Sequence, residues 1–575
     1  MPVPDLPTSP AAFAKATWDD IAPFYDELAG RPLSPSTVEA WLRSWSTLEE
    51  LIGEASAQAM IAYTIDTADP EKEADHLRFS TQVLPRADER SVGLARRLVE
   101  VGYSSPALAM TIARFRTSIE IFREENVPLF SELEQLGARY QRITGSMTAE
   151  WEGVELPLPQ LQPFLKSPDR AARERAFRAL ARPYVEQREA LASLFDRMYD
   201  LRQQVARNAG FANFRDYIFP AKFRFDYTPA DCERFHHAVE EAVTPAVERI
   251  LEHRRQQLGV ERLRPWDLSV DIYRSEPLRA FADGRGLATA AHRVFAAVHP
   301  ELGRLFQVMI DESLLDLESR KGKAPGGYCE TLHFRGRPFI FMNSVGLADD
   351  VMTLLHEAGH AFHSFAAHAH PLIWQRHPGS EAAELASMSM ELLAQRHLGG
   401  PAGFFSPVDA LHARLEHLED ILVSLVHIAS VDAFQTWIYT SGQGQDAEAR
   451  DRAWLRIRSR FERGPEWSDL ERERVARWYR QLHIFMYPFY YIEYGIAQIG
   501  ALQVWRNSLT DPCRAVTQYR EALAAGAVQS LPEIYRVAGA GLSFDAGLLG
   551  ELVQLVEHEI TRIRGQLPAT RPPGS

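Results

Sequence analysis

The segment Leu355-His356-Glu357-Ala358-Gly359-His360-Ala361-Phe362 constrains this chain more than any other, because it sets two histidines four residues apart with a glutamate between them. On a helix that spacing stacks His356 and His360 on one face about one turn apart, so both imidazoles reach a single ion. Glu357 then projects to the side, where a carboxylate touches a water on that ion without being a ligand. Zinc in such a place lowers the pKa of its water from about 15.7 to about 7 and makes hydroxide available at neutral pH. The competing explanation is a helix whose two partly buried histidines bond backbone carbonyls, so the flanking sequence has to discriminate.

Upstream, Asp349-Asp350-Val351-Met352-Thr353-Leu354-Leu355 reads as a helix start, with acids at the positive end and then an apolar run. Leu354, Leu355, Ala358, Ala361, Phe362 and Phe365 make the helix apolar on most sides, as expected of one passing through a core. A polar trio buried there needs a partner, which a metal supplies. A catalytic zinc takes three protein ligands and keeps one position for water. A third histidine ten residues after the first would mark the metzincin pattern, but that position is Ala366 and the glycine position is His363.

The third ligand is therefore sought on the next helix, which begins near Ser380 and ends at Gly399-Gly400. Glu384 is flanked by Ala383, Ala386 and Ser387, small residues that let two helices approach closely, and is assigned as the ligand. Glu391, seven residues on, shares its face and is assigned to orient a liganding histidine. Glu381 reads as a first-turn acid favoured by the helix dipole.

With these residues in place, the chain resembles the oligoendopeptidase F branch of the thimet oligopeptidase-like family of zinc metallopeptidases. Besides the motif and Ala383-Glu384-Leu385-Ala386-Ser387, three blocks carry the likeness. They are Lys321-Gly322-Lys323-Ala324-Pro325-Gly326-Gly327-Tyr328-Cys329, Pro338-Phe339-Ile340-Phe341-Met342-Asn343, and the run from Pro488 to Gln503 that includes Tyr490-Tyr491-Ile492-Glu493-Tyr494-Gly495. The resemblance implies a mainly α, two-lobed, zincin-like helical peptidase enclosing a deep substrate channel, with a small β-sheet next to the motif helix. It implies one Zn2+ per chain held by His356, His360 and Glu384, with Glu357 as general base. Short peptides are the implied substrates, cut at internal bonds.

The remaining site expectations rest partly on residues and partly on that resemblance. Tyr328 to Phe334 and Pro338 to Met342 are strand-like runs separated by Arg335-Gly336-Arg337, a hairpin beside the motif helix whose edge suits an extended peptide. Gly327 and Tyr328 are accordingly expected to bind substrate. Tyr487, Tyr491 and Tyr494 match the internal spacing of the family's substrate and oxyanion tyrosines. Tyr494 and His483 are the expected oxyanion donors, with Tyr491 and Tyr487 binding substrate. Two features depart from the family pattern: His483 precedes Tyr487 by four residues where thimet-type relatives have five, and Met486-Tyr487-Pro488 replaces a glycine-rich loop.

Composition excludes other classes of function. A net charge of -14, with a sequence pI near 5.8 and no basic run interleaved with aromatics, argues against nucleic acid. The first twenty residues contain no apolar core of a secretory signal, and no stretch of eighteen uninterrupted apolar residues predicts a membrane span. Cys232, Cys329 and Cys513 are odd in number and far apart, as for reduced thiols in a cytoplasm. The expected partners are peptides, with no nucleic acid and no membrane, and the chain is a monomer or homodimer.

Along the chain, Leu129, Leu133, Leu136, Tyr140 and Ile143 predict a helix, and the Pro-rich alternation from Val154 to Leu158 an extended excursion. Helix is expected to return with Ser167 as cap and Pro168 in its first turn. The division proposed is an N-terminal helical lobe, 1–195, and a catalytic lobe, 196–575. Two rivals are a helical zinc carboxypeptidase, whose relatives carry histidine where this chain has Ala383, and a metal- or peptide-binding protein without turnover.

Overall fold

Apolar residues recurring at steps of three and four close into helices through most of the chain in the computed structural model, which describes residues 5–274, 278–324 and 326–568. Residues 1–4 of the N-terminal stretch, Pro325 of the glycine-rich block, residues 275–277 and the C-terminal residues 569–575 lie outside the described residues. The predicted helix around Leu133 spans Val127–Gly145. The helix after the Pro-rich stretch begins later than expected, at Arg170, because Asp169 rather than Ser167 caps it: the Asp169 carboxylate accepts the Ala171 N–H at 2.9 Å.

Two small sheets interrupt the helices. The Pro-rich excursion is the antiparallel hairpin β1 (Thr148–Trp151) and β2 (Val154–Pro157). The second sheet runs in the order β3 (Leu315–Glu318), β5 (Arg337–Ser344), β4 (Tyr328–Leu332), with β3 parallel and β4 antiparallel to β5. The hairpin read from the sequence is thus β4 and β5, and β4 forms one edge. The central strand β5 buries Pro338 through Met342 without alternation, since both of its faces are covered.

What covers them fixes the sheet between two parts of the chain. On one side lies the helix Val38–Ile65, where Thr64 bonds the Tyr328 hydroxyl at 2.6 Å and Glu54 pairs with Arg335. On the other lies the motif helix, Ala348–Ala367, where Ser364 meets Thr331 at 3.1 Å. Alternation along β4 sends Tyr328 and Glu330 one way and Cys329 and Thr331 the other.

The apolar residues gather into two large cores. One takes residues from Phe13 to Phe115, and the other runs from Ala57 to Ile563. The helix Arg188–Asn208 passes through residue 195, and Leu191, Phe195, Met198 and Val205 along it all enter the larger core. Helix Pro407–Thr440 is long and apolar enough to cross a membrane, yet 72% of its apolar window is buried inside the protein. All three cysteines are free.

The segment linking the motif helix to the next helix reaches into the N-terminal core. Leu372 is buried there, and the Trp374 ring lies 4.4 Å from Trp45 and 5.1 Å from Phe115, centroid to centroid. The Ile373 N–H donates to Ser46 Oγ at 2.8 Å, and Arg376 pairs with Glu50 at 3.1 Å. Trp374→Ala is expected to cost about 3 kcal/mol, the lower end of the range for truncating a large aromatic, since Trp374 is only half-buried. Limited proteolysis should then cut the segment from Phe13 to Phe115 before the rest.

Burial pushes Glu330 up to about 7. Because its folded pKa exceeds its unfolded one, the carboxylate costs nothing below the unfolded value and destabilises progressively as pH rises through the folded one. Glu330→Gln should therefore raise the melting temperature at pH 8, with the gain shrinking as pH falls towards 5.

Candidate metal centre

The motif helix and the glutamate helix, Ser380–Ala394, touch at Gly359. A Cβ at Gly359 would sit 2.5 Å from Ser387 Cα and 2.7 Å from Ala386 O, closer than any side chain tolerates. Backbone therefore packs on backbone at this point, as the small residues around Glu384 predicted. The approach carries the Glu384 carboxylate between the two histidines. The glutamate helix ends at Ala394, short of the double glycine, and a 3-10 turn follows over Gln395–His397.

Glu384 Oε2 lies 3.3 Å from His356 Nε2 and 3.7 Å from His360 Nε2. One ligand atom from each of the three residues falls within 4.8 Å of the others. The two rings meet edge to face at 4.9 Å. His356 Nδ1 is bonded to Glu391 Oε1 at 2.7 Å, which leaves Nε2 of the neutral ring free to act as a donor to an ion. Glu391 is itself held by His417 Nε2, also at 2.7 Å, from helix Pro407–Thr440. The other oxygen of Glu384 accepts the Tyr490 hydroxyl at 2.8 Å.

The electrostatics suit a cation. Burial pushes Glu384 up, but the facing histidines and the Tyr490 bond overcome it and hold the carboxyl down at about 2. Glu391 is likewise held at about 2 against burial by its bonds to His356 and His417. Burial draws His360 down to about 4, whereas for His356 the bonds to Glu384 and Glu391 outweigh burial and raise it. Two imidazoles and one ionised carboxylate converging with buried supporting partners fit a divalent ion.

Glu357 is buried beside the trio, and burial raises it to about 7. The chain entering β4 passes next to it, since a Cβ at Gly327 would stand 3.8 Å from Glu357 Oε1. Asn343 holds that chain by donating to Ala324 O at 2.7 Å and Gly326 O at 2.9 Å. Lys323 is buried beneath, donating to Asp316 O and Glu318 O at 3.0 Å. The two sequence blocks before the motif are therefore one folded unit that delivers the β4 edge to Glu357. The Tyr328 side chain is held on the Val38–Ile65 side of the sheet, with its hydroxyl on Thr64 and its ring stacked on Phe341 at 4.8 Å. Cys329 is half-buried on the motif-helix side of β4.

His483 sits amid the tyrosines, its ring 5.0 Å from Tyr491, 5.6 Å from Tyr490, 5.9 Å from Tyr487 and 6.1 Å from Tyr494. Tyr487 is 52% exposed, so it stands at the surface rather than in a core. The Tyr491 hydroxyl donates to Gln481 Oε1 at 3.1 Å. Burial, with Glu384 close by, raises the Tyr494 phenol and keeps it protonated.

Tyr490 and His417 were not anticipated. Tyr490 stands in the same crowded block, but spacing drew attention to its neighbours; His417 carries no local signal, being one polar residue on a long helix. Glu381 is a first-turn acid as expected, with a further role in the packing: it is buried and accepts the Tyr227 hydroxyl at 2.6 Å.

The sequence profile of Peptidase family M3 matches residues 164–553. Oligopeptidase PepF of Bacillus subtilis (strain 168) is 21% identical over 389 residues, 66% of this chain and 55% of that protein. An oligoendopeptidase F homolog of Lactococcus lactis subsp. lactis (strain IL1403) is 24% identical over 252 residues, 42% of this chain and only 39% of the relative's length. Two solved structures are similar over nearly their whole length. PZ peptidase A with an inhibitor has a TM-score of 0.87 at 27% identity, covering 97% of this chain and 98% of that one. A putative oligoendopeptidase F has a TM-score of 0.88 at 27% identity, covering 95% and 97%.

Gly359→Ala is expected to force the two helices apart, with a cost of about 1–3 kcal/mol typical of overpacking. Thermal melts should register that loss, and chelator competition should show weaker metal binding than in the parent protein.

Proposed function

This chain belongs to Peptidase family M3, and from that premise we propose that it is a zinc-dependent endopeptidase that hydrolyses internal bonds of short oligopeptides. The observation that carries the reading is the convergence of His356, His360 and Glu384 with a buried Glu357 beside them. His356, His360 and Glu384 would hold the ion. A bound zinc supplies Lewis-acid polarisation of the scissile carbonyl and makes a water acidic enough to attack at neutral pH.

The chain's own residues do the rest. Glu391, braced by His417, keeps the His356 ring turned towards Glu384. Glu357 accepts a proton from the attacking water and passes it to the amine nitrogen as the C–N bond breaks. Its raised pKa suits a group that must both take and give a proton near neutrality. The oxygen of the tetrahedral species gains its negative charge only in the transition state, where the protonated Tyr494 phenol or His483 donates to it. The edge of β4 offers backbone N–H and C=O groups to an extended peptide, and Gly327 keeps the path past Glu357 clear. Tyr491 and Tyr487 flank that path. The relatives named as an oligopeptidase and an oligoendopeptidase support short peptides as the substrate class.

Internally quenched peptides blocked at both termini should be cut by the purified protein. Cleavage only when the C-terminus is free would favour a carboxypeptidase instead. Glu357→Gln should lower turnover by about 10²–10⁴-fold, the usual contribution of a general base, while the variant still retains its ion by elemental analysis; wild-type turnover in that variant would sink the mechanism. Chelation should abolish cleavage, and added Zn2+ should restore it.

A further inference from the structure

Behind Glu384 lies a group of buried charges that the proposed mechanism does not use. Arg224 follows the helix Phe214–Ala221, and its side chain is wholly inaccessible. Its Nη2 donates to the Phe489 carbonyl at 2.5 Å and to Glu493 Oε1 at 2.7 Å, and its Nε lies 3.7 Å from Glu381 Oε1. Lys222 donates to the same Glu493 oxygen at 3.0 Å and stands 4.9 Å over the Tyr490 ring. Glu493 and Glu381 are themselves buried. Two cations and two carboxylates thus tie the start of the helix Tyr491–Thr510 to the first turn of the glutamate helix.

The backbone at the centre of this group is unusual. Phe489 is buried and takes a φ of 61°, a left-handed conformation that a bulky residue seldom adopts. Both of its polar groups are held, the carbonyl by Arg224 and the N–H by the buried Gln435, whose Oε1 accepts it at 2.8 Å. The next residue is Tyr490, whose hydroxyl reaches Glu384. Glu381 lies one turn before Glu384 on the same helix. Buried ion groups are often no more stabilising than apolar side chains of the same size, so their best-attested use is to specify one geometry. Here that geometry is the placing of a phenol on a metal-binding carboxylate.

We propose that Arg224 is a positioning residue of the metal centre: by clamping the Phe489 carbonyl and Glu493 against Glu381, it holds Tyr490 on Glu384 and so presets the carboxylate for the ion. This rests on reading His356, His360 and Glu384 as the ligands. Lost orientation of a ligand commonly weakens metal affinity by about 10- to 100-fold.

The test is the Zn2+ dissociation constant of the purified, metal-stripped full chain, read by competition with a chromophoric chelator. Arg224→Met and Tyr490→Phe should each weaken Zn2+ binding by about 10- to 100-fold. The double variant should be no weaker than the worse single one, because both changes break the same route. An Arg224→Met affinity within twofold of wild type would overturn the proposal, as would losses that multiply in the double variant. Should Arg224→Met fail to fold, Arg224→Lys decides: it keeps the charge but puts a single ammonium on a flexible stem where the planar guanidinium faces Phe489 and Glu493 with Nη2 and Glu381 with Nε, so its affinity should fall, and an unchanged value overturns the idea. Wild-type protein that binds no Zn2+ would overturn the ligand reading itself and this inference with it, whereas tight wild-type binding with unaffected variants would overturn this inference alone.

Discussion

Where Gly359 meets Ala386 and Ser387, two helices approach more closely than any side chain larger than hydrogen permits. Packing forces act over a few tenths of an ångström, so this contact fixes the distance between helices that otherwise share no local sequence relationship. Two histidines one turn apart on the first helix then face a glutamate on the second. Without the contact, Glu384 would be an ordinary helix carboxylate, and the histidines would lack a third partner.

Around that contact the polar groups are arranged in depth. Glu384 is touched by Tyr490, and His356 by Glu391, which is in turn held by His417. Behind Tyr490 come Lys222, Arg224 and the buried acids Glu381 and Glu493. Glu384 and Glu391 stay ionised because their partners offset the lost solvation, whereas burial pushes Glu357 up to about 7. The same principle explains why the β4 edge reaches Glu357: the Lys323 ammonium and the Asn343 amide hold the preceding loop from beneath.

Much of the centre was legible in the sequence. Helical periodicity locates the motif helix, and a spacing of four puts two imidazoles on one side of it. Small residues around Glu384 signal close packing, and the β4–β5 hairpin follows from two strand-like runs and a glycine turn. The cap at Asp169 was misplaced because Ser167, Pro168 and Asp169 are all acceptable helix-start residues and only the backbone path selects one. Tyr490 is not marked by its sequence, since four tyrosines in one block offer several spacings and nothing local says which phenol meets the carboxylate.

The sequence by itself determined the chemistry available: which side chains can bind an ion, which can take a proton, and which segments are helical. Those properties depend on residue type and on periods of two to four residues, and neighbours along the chain set them. Tertiary structure alone decided which of those groups meet. Glu391 with His417, Tyr490 with Glu384, Arg224 with Phe489 and Trp374 with Trp45 are pairs whose members lie on different elements. Such meetings arise from how whole helix faces pack, a sum over many weak contacts that no short stretch of sequence encodes.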